Sequence, residues 1–61
     1  MPVITIDGPV LNKKQKADLV KSFSETISEV TKLPLETVVV LVREYEADNV
    51  GRGNSLLSDL D

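Results

Sequence analysis

The chain has 61 residues, a formal net charge of -3, and neither cysteine nor histidine. A domain of this size buries only about 60% of the surface its unfolded chain exposes; disulfides and the usual kind of zinc site are excluded, no cofactor is expected, and self-association remains as the reinforcement. The acidic balance and the lack of aromatics beyond Phe23 and Tyr45 speak against nucleic acid, and the absence of a signal-like start or of an apolar run near the roughly 20 residues of a membrane span favours a cytoplasmic protein without membrane contact.

Pro2-Val3-Ile4-Thr5-Ile6 reads as a strand, closed by the turn signal Asp7-Gly8-Pro9. Asn12 is a good helix N-cap, and Gln15, three residues on, completes a capping-box pair. From there Leu19, Val20, Phe23, Ile27 and Val30 gather into one stripe at about 100° per residue. The spacing predicts an amphipathic helix over residues 13–32, stopped by Leu33-Pro34 because the residue before proline disfavours helix.

A second strand is predicted over residues 37–45, in which Val38-Val39-Val40-Leu41-Val42 is apolar at both parities. Both faces of that strand want burial, and one helix covers only one of them. The other must meet a second subunit. Two strands joined by a helix make a parallel βαβ unit, right-handed by the usual rule. Residues 46–54 are polar and glycine-punctuated, a hairpin or exposed loop. Leu56, Leu57 and Leu60 then lie on a segment too short to fold alone, which reads as an arm for a neighbouring subunit. The fold class is α/β: a single domain over residues 1–61, with a two-stranded sheet completed by oligomerisation.

Pro2 has two readings. A proline opening a strand exploits a position that needs no amide hydrogen; freed of Met1, it is also a secondary amine at the head of an apolar strand. Arg43 ends an otherwise apolar strand on the side of Val39 and Leu41, where it pairs with a glutamate across an interface or offers a fork to a substrate carboxylate. Arg52 lies in the glycine-rich loop, where solvent exposure is the ordinary state. Gly51-Arg52-Gly53 lacks the strand and helix that a phosphate loop requires. Glu44, Glu46 and Asp48 alternate at a strand end, more often a solvated rim than an acid/base pair, and their spacing matches no calcium loop. Lys13, Lys14 and Lys16 crowd the first helical turn against the macrodipole; a surface lysine run is the ordinary reading and anion attraction the other. By angle Lys16 falls inside the apolar stripe, where a long stem near a helix end can snorkel.

Taken in order, Met1-Pro2, the glycine turn, Gln15-Lys16, Pro34-Leu35, the valine-rich strand and Asn49-Val50-Gly51 with Gly53 resemble the 4-oxalocrotonate tautomerase (2-hydroxymuconate tautomerase) family over the whole chain. The resemblance implies a hexamer, a trimer of dimers, in which the amino-terminal proline, here Pro2 after Met1 removal, is the general base for keto-enol isomerisation of a small conjugated acid without metal or organic cofactor. It also implies substrate contacts from the second strand and the hairpin. Members of the family carry an arginine in the glycine turn, where this chain has Pro9 and Val10, an arginine at the position of Val39, and an aromatic residue at that of Val50. Asp59 and Asp61 stand in place of a basic tail. Arg43, Arg52, Val39 and Val50 are the substrate-binding candidates. Two alternatives stand beside the tautomerase: a hydratase or dehalogenase working through a protonated Pro2, and an oligomeric scaffold without catalysis.

Overall fold

The computed structural model describes residues 1–60, so Asp61 of the acidic tail lies outside the described residues. Strand β1 (Val3–Pro9) leads to helix α1 (Lys13–Thr31), strand β2 (Val39–Tyr45) and a short hairpin of β3 (Gly51–Arg52) and β4 (Ser55–Leu56). β1 and β2 run parallel in a register that sets Val3 opposite Val39, Thr5 opposite Leu41, Asp7 opposite Arg43 and Pro9 opposite Tyr45. The expected βαβ unit is the observed one.

Its first boundary differs from the expectation. Asp7-Gly8-Pro9 is not the turn; β1 continues through it, and the chain reverses only at Val10 and Leu11. Proline is tolerated there because β1 has a single neighbour within the chain, so its free edge needs no donor. The strand extension carries Asp7 and Pro9 beside the end of β2 instead of into a loop.

Asn12 closes the capping box as anticipated: its side chain accepts from the Gln15 amide at 2.8 Å, while Gln15 Oε1 accepts from the Asn12 amide at 3.0 Å. α1 ends at Thr31, and Lys32 holds a left-handed conformation (φ 63°) in which its N–H reaches the Ser28 carbonyl. Glycine usually serves at such a cap. The second strand starts later than predicted, at Val39, because Leu35–Thr37 form a 3-10 turn secured by the Thr37 hydroxyl donating to the Pro34 carbonyl at 2.7 Å. Gly53 (φ 65°) makes the tight turn between β3 and β4.

Ile4, Ile6, Val40 and Val42 share the half-buried face of the sheet, and Leu19 and Ile27 of α1 are half-buried with them. None of the described residues is fully buried. Val3, Leu41, Leu56, Leu57, Leu60 and Phe23 are among the large apolar side chains left open. The chain exposes 4898 Å², against about 3,900 Å² for a compact protein of this mass. Its radius of gyration of 14.9 Å compares with roughly 10.5 Å for a compact domain of this length. About 1,000 Å² of excess surface per chain exceeds what one partner contributes to a standard interface.

Candidate functional site

Pro2 sits half-buried at the head of β1, and its carbonyl accepts the Val39 amide at 2.9 Å. That hydrogen bond extends the ladder by one residue and fixes the proline beside the start of β2. While Met1 is attached, the ring nitrogen is a tertiary amide with no basic lone pair. Met1 itself projects into solvent, 87% exposed, so the bond that would release the amine lies at an open end of the molecule.

The structure therefore brings Pro2 and Val39 together. It does not bring Arg43 to them within one chain: four residues farther along β2, Arg43 stands about 13 Å from Val39 and opposite Asp7. Its Nη1 lies 3.9 Å from Asp7 Oδ1, too long for a hydrogen bond. The same oxygen accepts the Tyr45 hydroxyl at 2.9 Å. That bond, then desolvation, pushes the Tyr45 phenol above its usual value, with Arg43 opposing. Sequence reasoning missed Asp7 and Tyr45 because it put Asp7 in a turn; carrying the period of two through Pro9 would have placed Asp7, Arg43 and Tyr45 on one face.

A cavity of 450 Å³ opens next to this cluster, lined by Asp7, Gly8, Pro9, Tyr45, Ala47, Val50 and Leu57. Val50 thus belongs to a pocket wall, held there by its carbonyl accepting the Leu57 amide at 2.7 Å. Arg52 is exposed in β3 and outside that lining. The pocket lies at the far end of the sheet from Pro2, roughly 20 Å along β1.

Glu44 has a different task from the one its alternation with Glu46 and Asp48 suggested. One oxygen takes Lys16 Nζ at 2.6 Å and the other the Leu11 amide at 2.7 Å. Those two bonds, the lysine first, hold its carboxyl below the ordinary glutamate value. The pair ties α1, β2 and the β1–α1 connection together, so Lys16 lies in the apolar stripe because it reaches a partner. Lys14 instead pairs with Asp18 on the open helix surface, an arrangement worth little.

The family model described as "Tautomerase enzyme" matches residues 2–60, from the proline to the end of the described chain. The chain belongs to the tautomerase family. Two similar solved structures are YwhB, a homologue of 4-oxalocrotonate tautomerase (28% identity, 98% of this chain and 100% of that one, TM-score 0.86), and DmpI from Archaeoglobus fulgidus (29% identity, 95% and 100%, TM-score 0.83). A heterohexameric 4-oxalocrotonate tautomerase from Chloroflexus aurantiacus J-10-fl shares the fold at 21% identity, over 100% of both chains with a TM-score of 0.86. No curated protein sequence matches.

Proposed function

We propose that the processed and assembled chain is a cofactor-free keto-enol tautomerase in which Pro2 is the general base. The observation that carries this reading is the placement of Pro2: half-buried at the head of β1 and pinned to Val39. Removal of Met1 leaves a secondary amine there. An α-amino group titrates near 7.7–8.0 in model peptides, and apolar surroundings disfavour its charged form, so a free base is available at neutral pH. Such a base takes a proton from an enol hydroxyl and returns it to carbon farther along the conjugated system; a well-matched one contributes roughly a hundred- to ten-thousand-fold in rate.

A single chain does not complete this site. Pro2 and the 450 Å³ pocket lie at opposite ends of the same sheet, and the fold exposes its would-be core. The reading therefore includes a homo-oligomer, six chains as a trimer of dimers, in which different copies enclose one Pro2; the heterohexamer of the Chloroflexus protein shows that this fold is compatible with six-chain assembly. A small-molecule enol or keto acid is the substrate. Val39 lies beside the base, and Val50 and Arg43 meet the substrate from other copies, while Arg52 stays outside the pocket.

The test uses processed protein, its amino-terminal proline verified by intact mass, and 2-hydroxypenta-2,4-dienoate, a conjugated enol with a single carboxylate, as the probe. Pro2→Ala should lower kcat/KM by at least about a hundredfold with the assembly intact. Undiminished turnover in that variant removes Pro2 from the mechanism.

A further inference from the structure

We propose that the pocket at the carboxyl end of the sheet is selective for a short, largely apolar monocarboxylate, and that Arg43, beside Asp7, is the group that sets this preference. Its identification as a substrate-binding pocket rests on the tautomerase reading; the ligand class itself rests on the pocket.

The walls argue first. Pro9, Ala47, Val50 and Leu57 give the cavity its aliphatic lining, and its volume of 450 Å³ is within the range of small-molecule sites. Asp7 and Tyr45 supply its polar end, with their mutual hydrogen bond at 2.9 Å. A ligand tail fits the walls, and its polar group belongs at that end.

The charges argue second. Arg43 shares the open face of the sheet with Asp7 and Tyr45, yet its guanidinium is 60% exposed and comes no closer to Asp7 than 3.9 Å. Asp7 does not hold its donor fork, which bears only weakly on the Tyr45 phenol, and a ligand carboxylate is the acceptor that fork geometry suits. Asp7 alongside already neutralises the arginine at longer range. The polar end thus has one anion in its lining, Asp7, and one cation next to that anion, Arg43, enough to hold one carboxylate and not two. Among the described residues no cation lines the cavity itself: Lys16 is engaged by Glu44, and Arg52 lies outside. A second carboxylate on the ligand would have to lie against Val50 or Leu57, where losing its hydration is costly, or near Asp7, where it meets like charge.

Two probes of equal carbon count separate the cases: hexanoate and adipate, titrated into the processed, assembled protein while the methyl resonances of Val50 and Leu57 are followed by NMR. Hexanoate should bind at least about tenfold more tightly than adipate and shift those methyls. Arg43→Gln should weaken hexanoate by about tenfold. Asp7→Asn keeps an acceptor for the Tyr45 hydroxyl and removes the competing charge; it should tighten adipate by about fivefold, a gain that loss of folding cannot mimic. Equal or tighter binding of adipate by the unmodified protein overturns the proposal. So does the absence of any methyl shift with either acid, which would mean that a neighbouring copy fills the pocket. The titration needs no turnover, so selective binding without enol isomerisation would count against the proposed reaction and leave the ligand class standing.

Discussion

Replacing Leu41 by alanine tests whether the open sheet face is an assembly surface. Leu41 is 47% exposed in the single chain, in the middle of β2 and opposite Thr5. Full burial of a leucine side chain is worth about 1.5–3 kcal/mol, so covering the exposed part contributes up to about 0.7–1.4 kcal/mol per chain. For the six-chain assembly proposed above the loss sums to about 4–8 kcal/mol, or about three to six decades in the assembly constant at 1.4 kcal/mol per decade. Because six chains combine in one step of the overall equilibrium, the chain concentration at half-assembly moves with the fifth root of that constant. The expected shift is about four- to sixteen-fold toward higher concentration. Sedimentation velocity across a dilution series reads it directly. An unshifted midpoint would show that Leu41 faces solvent in the assembly, and a wild-type chain that stays folded and single at every concentration would refute the reasoning from the missing core.

Two other outcomes follow from the local geometry. The Glu44 carboxyl is held below its ordinary value by Lys16 and the Leu11 amide, so its contribution to stability is complete above the ordinary glutamate value and is lost as pH falls through the depressed one; Glu44→Gln should therefore flatten the acid limb of melting temperature against pH, and an unchanged acid limb would show that the clasp is absent in solution. Lys32 holds a left-handed helix cap with φ 63°, a conformation that costs a side-chain-bearing residue about 1–2 kcal/mol. Lys32→Gly should raise stability in denaturant titrations by about 0.5–1 kcal/mol after the greater flexibility of unfolded glycine is subtracted, and a destabilised variant would contradict the cap assignment.

The parts of the fold legible in the sequence are those written in short-range patterns. Asn12 and Gln15 announced the helix start, the unbroken run of valines and leucine at residues 38–42 marked the second strand, and Leu33-Pro34 marked where the helix must stop. Asp7-Gly8-Pro9 misled because its composition matches a turn; what overrides it is pairing to Glu44 and Tyr45 across the sheet, a long-range contact that local propensity does not encode. The same miss hid the Asp7–Arg43–Tyr45 cluster, since Arg43 has no visible partner until β1 is long enough to reach it. Lys16 shows the converse. Its place in an apolar stripe was anomalous on the sequence, and Glu44, 28 residues away, accounts for it. Pro2 was conspicuous from the start, but the basicity proposed for it requires the removal of Met1 and neighbouring copies, neither of which is contained in one chain's pattern.

In the proposed mechanism the ring nitrogen of Pro2 is a free amine kept unprotonated near neutrality by its surroundings. Nitrogen-15 NMR titration of proline-labelled, processed protein at assembled concentrations measures this directly. The expected Pro2 pKa lies below the range of about 7.7–8.0 that α-amino groups show in peptides. A value above that range, or a Pro2 nitrogen that never titrates because Met1 remains attached in the active material, would contradict it.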